Sequence, residues 1–385
     1  MTLKPSQSNS CRYGGCTLTG ALSVTTHVRD AVTVVHGPNG CTHHNFSLFH
    51  ATSLDNDAPV IPALVSTGLS ETDIIFGGEQ ALDRTLDAVL PSYPGVIFVL
   101  STCVVDTIGD DIAMVCGKER GVPVVPVPTA GFIGGTFEDG VNKALIALAG
   151  MADWGMADGG LQNDGTPMGS VAKGSRGTEA RSASNVHPGN INPGHQNPVS
   201  ANIIGEKNLE YELVENYTEV NRLLSAIGCP VHCRFVHDLT SDRIATLGDA
   251  RVNILRDPAL VPVGEYLKKR FKTPYIQSFP IGLGSPVFLK TVAEVCGAES
   301  RDAVAGELAL QVETLGAFSD LRGSTISFAP ALVDPKAVSA AKQLARALGM
   351  QVRKNGLAVP LPTTPLVGIA GVRRLLHRWR RAIHA

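Results

Sequence analysis

Between residues 30 and 150, short β-branched runs alternate with helix-patterned stretches, and this alternation narrows the fold more than any other feature of the chain. Ala31–His36 reads as a buried strand, and Gly37–Gly40 as the turn that ends it. Val96–Ser101 is a second strand and Pro123–Val127 a third. Between them, Glu79–Leu90 places Leu82, Leu86 and Val89 on one helical face. Strands alternating with helices imply an α/β fold with parallel sheets, in which ligand sites lie beyond the carboxyl ends of the strands.

The pattern divides the chain into segments. Residues 1–154 form a first α/β domain that carries the candidate ligands. Residues 155–200 hold 13 Gly or Pro and only seven Val, Ile, Leu, Met or Phe in 46 positions. Such a stretch has too little apolar surface to offset the entropy of ordering, so it reads as an insertion or linker. The α/β pattern resumes in a second domain over 201–320, with a helix near Glu215–Ile227, a strand at Ala250–Leu255 and a helix at Pro262–Phe271. A shortened third unit over 321–385 has a strand from Ser324, a helix over Lys336–Leu348 and a basic amphipathic tail from Gly371. That tail suits either docking at a domain or subunit edge, or binding to a membrane surface.

Charge and composition limit the function classes. With 33 Lys and Arg against 35 Asp and Glu, the formal charge is −2, unlike a protein that grips nucleic acid by neutralising many phosphates. The 18% of charged residues is low for a soluble domain and fits a chain that buries surface in a complex. No apolar run is long enough to span a bilayer, and the polar first ten residues lack a signal-peptide core. The expectation is a cytoplasmic protein without membrane or nucleic-acid partners, whose eight cysteines serve as thiols or metal ligands rather than disulfides.

Three of those cysteines draw attention by position. Cys41 and Cys103 each follow a strand, and Cys16 follows Gly14-Gly15. Thiolates on backbone turns, with glycine leaving room for inorganic sulfide, are what an iron–sulfur cluster needs. Buried small hydrophobes are the alternative, since free cysteines commonly play that part. Three ligands leave a four-iron cluster one short, which calls for a second chain or for Cys11 as a spare. Cys229, His232, Cys233 and His237 imitate zinc spacing, but strand alternation would send His232 and Cys233 to opposite faces. Cys116 and Cys296 lie on helical patterns and read as core. His43, His44 and His50 beside Cys41 are either proton carriers or structural. No P-loop, G-x-S-x-G or H-E-x-x-H motif is present, so no nucleotide-hydrolysing or common hydrolase site is legible.

Four stretches around these cysteines carry a family resemblance: Cys16–Ala21, Val35–Cys41, Glu71–Gly78 and Ser101–Asp111. In order and spacing they resemble component 1 of nitrogenase, and within it the β-type subunit. The resemblance implies two to three Rossmann-like parallel-sheet domains, the third shortened here. It implies that Cys16, Cys41 and Cys103 provide half of an iron–sulfur cluster at a subunit interface, either 8Fe-7S and P-cluster-like or 4Fe-4S. It also implies a paralogous α-type partner in a heterotetramer, and an ATP-dependent iron protein that feeds in single electrons. The complex would then be an oxidoreductase acting on a small molecule, for instance by reductive carbon–sulfur cleavage. A tetrapyrrole reductase component and a non-catalytic scaffold for cofactor assembly are the rivals. Two departures matter. Gly131 stands where the β-type subunit can offer a serine to the cluster. Arg256 and Asp257 follow Val252–Leu255 where the α-type subunit places a cofactor-holding cysteine, so that role does not transfer.

Overall fold

The computed structural model describes residues 15–55, 61–131, 135–152, 198–207, 209–210, 212–328, 335–361 and 365–385. Cys11 and nearly all of the 155–200 stretch lie outside the described residues. In chain order the first unit runs α1 (Thr17–Thr25), β1 (Ala31–His36), α2 (Asn39–Asp55), β2 (Leu64–Ser66), α3 (Glu71–Phe76) and α4 (Glu79–Val89). It continues through β3 (Val96–Ser101), α5 (Cys103–Ile108), α6 (Ile112–Cys116), β4 (Val124–Val127) and α7 (Phe137–Gly150).

The strands pair in parallel in the order β2-β1-β3-β4. All six residues of β3 are buried, as a strand covered by helices on both faces requires. Phe98 and Leu100 join one core cluster, while Ile97 and Val99 join the other with Leu82, Leu86 and Val89 of α4. Each such side chain contributes about 2 kcal/mol when withdrawn fully from water. β1 and β3 run in register from Ala31 beside Val96 to His36 beside Ser101, so their carboxyl ends finish together. Strand order reverses between these two, which makes the gap beyond His36 and Ser101 the topological switch point.

Two details differ from the expected pattern. The turn after β1 is shorter than Gly37–Gly40, because α2 already begins at Asn39. The helix α1 ahead of β1 is buried on every side, including Thr17, Thr19, Ser23 and Thr25, and so lacks the one-sided stripe that marks a surface helix. It packs backbone to backbone on α7, where a Cβ at Gly20 would strike the Phe137 carbonyl and one at Gly140 would strike that of Thr17.

The second unit comprises β5 (Ala201–Ile204), α8 (Leu213–Ala226), β6 (Val231–Phe235), β7 (Val252–Leu255), α9 (Val261–Phe271), β8 (Tyr275–Ile276), α10 (Ser285–Cys296) and α11 (Arg301–Ala317). Its parallel order, β6-β5-β7-β8, repeats that of the first sheet. The third unit is smaller: β9 (Thr325–Phe328), α12 (Pro335–Ala347), β10 (Gln351–Val352), β11 (Leu357–Val359) and α13 (Gly368–His384), with strand order β10-β9-β11. The basic tail is α13, and its apolar stripe is buried within this chain. Ile369, Val372, Leu375, Leu376 and Trp379 are all under 4% exposed, and the Trp379 indole N–H donates to the Pro360 carbonyl at 3.0 Å. Arg374 and Arg378 reach Glu212, and Arg380 reaches Asp320. With that face occupied, the docking reading holds and no apolar stripe is left for a membrane surface. No helix among the described residues is long and apolar enough to cross one.

Candidate functional site

Cys16, Cys41 and Cys103 share one edge of the first sheet. Cys16 caps the start of α1 and is exposed; Cys41, half-buried, lies in the first turn of α2, just past β1; Cys103, also half-buried, opens α5 just past β3. The latter two therefore flank the switch point. Cys16 joins them because the α1–α7 crossing holds it against the loop beyond β4: a Cβ on Gly131 would come within 2.8 Å of Cys16 Cβ. That contact also accounts for Gly131, since a serine there would have to displace the backbone around Cys16. Burial raises the Cys41 thiol pKa above its ordinary value, and the nearby Cys16 and Cys103 raise it further. Thiolates that disfavour one another at such range suit a site where a metal group supplies the compensating positive charge.

The hydroxyl environment fits the same group. Thr17 adjoins Cys16, Thr42 adjoins Cys41 and Thr102 adjoins Cys103, and all three hydroxyls are buried without a hydrogen-bond partner. Buried polar groups are seldom left so, and each of these three hydroxyls belongs to the residue next to a thiol in sequence. Among the described residues no three His, Cys, Asp or Glu side chains are placed to hold a single metal ion.

Beneath the thiols lies a polar latch. His36 is fully buried; its Nδ1 hydrogen-bonds Thr67 Oγ1 and its Nε2 hydrogen-bonds Asp110 Oδ2, each at 3.0 Å. Asp110, whose side chain is 3% exposed, also accepts the Gly78 N–H on both oxygens. Burial lowers the His36 pKa against the opposing pull of Asp110. The latch ties the ends of β1 and β2 to the turn after α5, and so fixes the frame that presents Cys41 and Cys103. Replacing Asp110 by Ala would leave His36 Nε2 and Gly78 N–H unpaired inside the protein. We expect it to cost about 3 kcal/mol in urea unfolding, well above an exposed substitution such as Asp106→Ala.

The other candidates do not join this edge. Cys229 Sγ lies 3.8 Å from Cys296 Sγ in the second core; hydrogen bonding between them pulls the Cys229 thiol pKa down and pushes that of Cys296 up. His232 Nε2 bonds the Thr246 carbonyl at 2.8 Å, and the His237 ring stands against His27. The zinc-like spacing of Cys229–His237 is therefore not a converged ligand set. Burial pushes Cys116 and Cys233 up to about 12, which keeps both as protonated core thiols. His43 and His44 are exposed on α2, and His50 stacks on Phe46.

The equivalent edge of the second sheet is closed by charge pairs. Arg256, directly after β7, pairs with Glu210 and faces the Phe279 ring. Arg234 grips Glu206 at 2.7 and 3.1 Å and lies 3.8 Å over Tyr217, while Asp257 pairs with Lys336 at 3.0 Å. Among the described residues no thiol stands at that edge.

Three thiols at the switch point of one of several parallel α/β sheets make that edge a candidate site for a metal group. The chain belongs to the nitrogenase component 1 type oxidoreductase family, which it matches over residues 16–381. It is 28% identical over 319 residues to the nitrogenase iron-molybdenum cofactor biosynthesis protein NifE of Clostridium pasteurianum, covering 80% of this chain and 59% of that protein. NifE of Methanosarcina barkeri is 38% identical over 137 residues, 34% of this chain and 29% of the relative. Among solved structures, nitrogenase Cp1 at pH 6.5 superposes with a TM-score of 0.60 at 22% identity, over 90% of this chain and 61% of that one. The fold is thus that of nitrogenase component 1, and this chain spans about three-fifths of the length of those two proteins.

Proposed function

We propose that this chain is a cluster-carrying, β-type subunit of a nitrogenase-like complex, paired with a paralogous α-type subunit. The observation that carries the reading is the gathering of Cys16, Cys41 and Cys103 at one sheet edge, close enough for their charges to interact. When bound, an iron–sulfur cluster takes up and passes on single electrons. Cys16, Cys41 and Cys103 would hold it, the glycine contact at Gly131 leaves it room, and the His36–Asp110 latch keeps two of the ligand turns in place. Ile75 and Phe76 on α3 are 72% and 83% exposed, and the neighbouring Ile74 packs near Val105 of α5. An apolar patch beside the thiols favours a subunit boundary there. The closed second sheet favours placing any further cofactor and the reacting site in the partner, with electrons supplied by an ATP-dependent iron protein.

A second reading, a scaffold on which a metal cofactor is built, draws support from the relatives named as cofactor biosynthesis proteins. Both readings predict iron and inorganic sulfide in the anaerobically purified complex, and iron-free protein would sink both. They part when iron protein, ATP and reductant are supplied. Sustained reduction of a small molecule identifies a reductase. Transfer of a cluster to an acceptor protein without turnover identifies a scaffold.

A further inference from the structure

Four exposed cations of the third unit line one surface cavity. The cavity measures about 820 Å³ and is lined on one side by Lys342 and Arg346 of α12, on the other by Arg353 and Lys354 just past β10. Among the described residues no acidic side chain lines it. None of the four side chains makes an ion pair or hydrogen bond among the described residues, unlike Lys336 on the same helix, which pairs with Asp257. Lys342 and Arg346 sit four apart on α12, where like charges oppose each other. The rest of the lining is mostly apolar, from Phe328, Met350, Val352 and Ala358, with Ser327 beside them.

We propose that this cavity binds a small organic anion with two or more negative charges on an apolar body, either a phosphate ester or a polycarboxylate. Arginine suits either group, since its planar fork meets two oxygens at once. The size lies within the range of small-molecule sites, roughly 300–1,000 Å³, and the apolar floor gives an organic body something to cover that a bare inorganic ion would leave wet. A nucleic-acid strand would need a basic track, whereas these charges converge on one concavity and the chain as a whole is slightly acidic. The site is independent of the cysteine edge: it lies on a different sheet and would stand if the cluster assignment failed.

The test uses the full chain with naphthyl phosphate, naphthalene dicarboxylate and inorganic phosphate as probes, followed by calorimetry at low salt. At least one naphthyl probe is expected to bind, more tightly than inorganic phosphate, and the tighter of the two names the anionic group. Exposed residues were chosen for the variant, Arg346→Glu with Arg353→Glu, so that folding is retained; circular dichroism checks this. The variant is expected to bind at least about tenfold more weakly, and raising the salt to screen exposed charges should weaken binding to the wild type. Absence of binding by both naphthyl probes, equal binding by wild type and variant, or neither naphthyl probe binding more tightly than inorganic phosphate would each overturn the proposal. So would a variant that loses its partner subunit while no probe binds, since the cavity would then be a protein interface.

Discussion

Replacing Cys16, Cys41 or Cys103 by alanine is expected to remove most of the iron from the anaerobically purified complex, because iron is held through thiolates and alanine offers no donor. The three positions differ in exposure, yet the loss should be similar, since a cluster short of one ligand is labile whichever ligand is missing. The fold itself should survive: Cys16 is exposed and the other two are half-buried, so each deletion leaves little or no cavity. Cys229→Ala and Cys233→Ala make the opposite pair. Both side chains are core, 0% and 5% exposed, and their truncation should cost about 1–3 kcal/mol of stability while leaving iron unchanged. Iron and sulfide assays beside urea unfolding separate the two groups. The subunits should also part more readily in the iron-free variants, because metal bound across a boundary stabilises only the assembled form. Equal iron loss in all five variants would refute the ligand assignment.

How far such a site was visible beforehand depended on how local its determinants are. Strands β1 and β3 announce themselves as runs rich in β-branched and apolar residues, and α4 by its stripe, because each is decided by neighbours in sequence. Cys41 and Cys103 followed from those strands, since a residue at a strand end inherits the sheet's geometry. Other elements gave misleading signals. In α2 only Asn45, Phe49 and Thr52 are buried, which is no apolar stripe. In α11 the buried face carries Glu307, Gln311 and Thr314 while Leu308 and Val312 are exposed, the reverse of the usual pattern. Glu307 is tolerated inside because Arg222 reaches it from α8 at 2.9 Å. The His36–Asp110 latch was illegible for a related reason, as its partners lie 74 residues apart. A histidine closing a buried strand was the available signal, but a single sequence does not name its partner. The basic cavity was hidden likewise: Lys342 and Arg346, or Arg353 and Lys354, read separately as a solvated helix face and a charged turn, and only the third sheet sets them opposite each other.

Acidification is expected to loosen the joint between the first and second units, through two histidines that face each other across it. His27 follows α1 and His237 follows β6, with ring centroids 4.9 Å apart. Around them the same joint pairs Val28 with Leu239, donates the Arg29 N–H to the Leu239 carbonyl at 2.9 Å, and ties Ser241 to Asp30. Burial and then the charge of His237 hold His27 down at about 3, with Arg234 adding to this and a hydrogen bond to the Lys207 backbone carbonyl and the charge of Glu206 opposing it. Burial and the cations Arg234, Arg256 and Arg29 hold His237 down at about 4. Asp238 sits beside the pair but is engaged by Arg29. Above the ordinary histidine value of 6.5 both rings are neutral whether the chain is folded or not, and stability does not depend on them. As pH falls below that value, the unfolded chain binds two protons that the folded joint refuses, so stability drops with pH and levels off only as His237, and then His27, finally protonates. Allowing for the partial exposure of His237, the loss from pH 7 to pH 5 should be about 3 kcal/mol. His27→Phe keeps a ring in place, removes one of the two titrations and removes Nε2, which is buried without a partner. It should roughly halve the pH dependence of the urea midpoint between pH 7 and pH 5, and leave the variant more stable than the parent at pH 5. An unchanged slope in the variant would show that the acid sensitivity resides elsewhere.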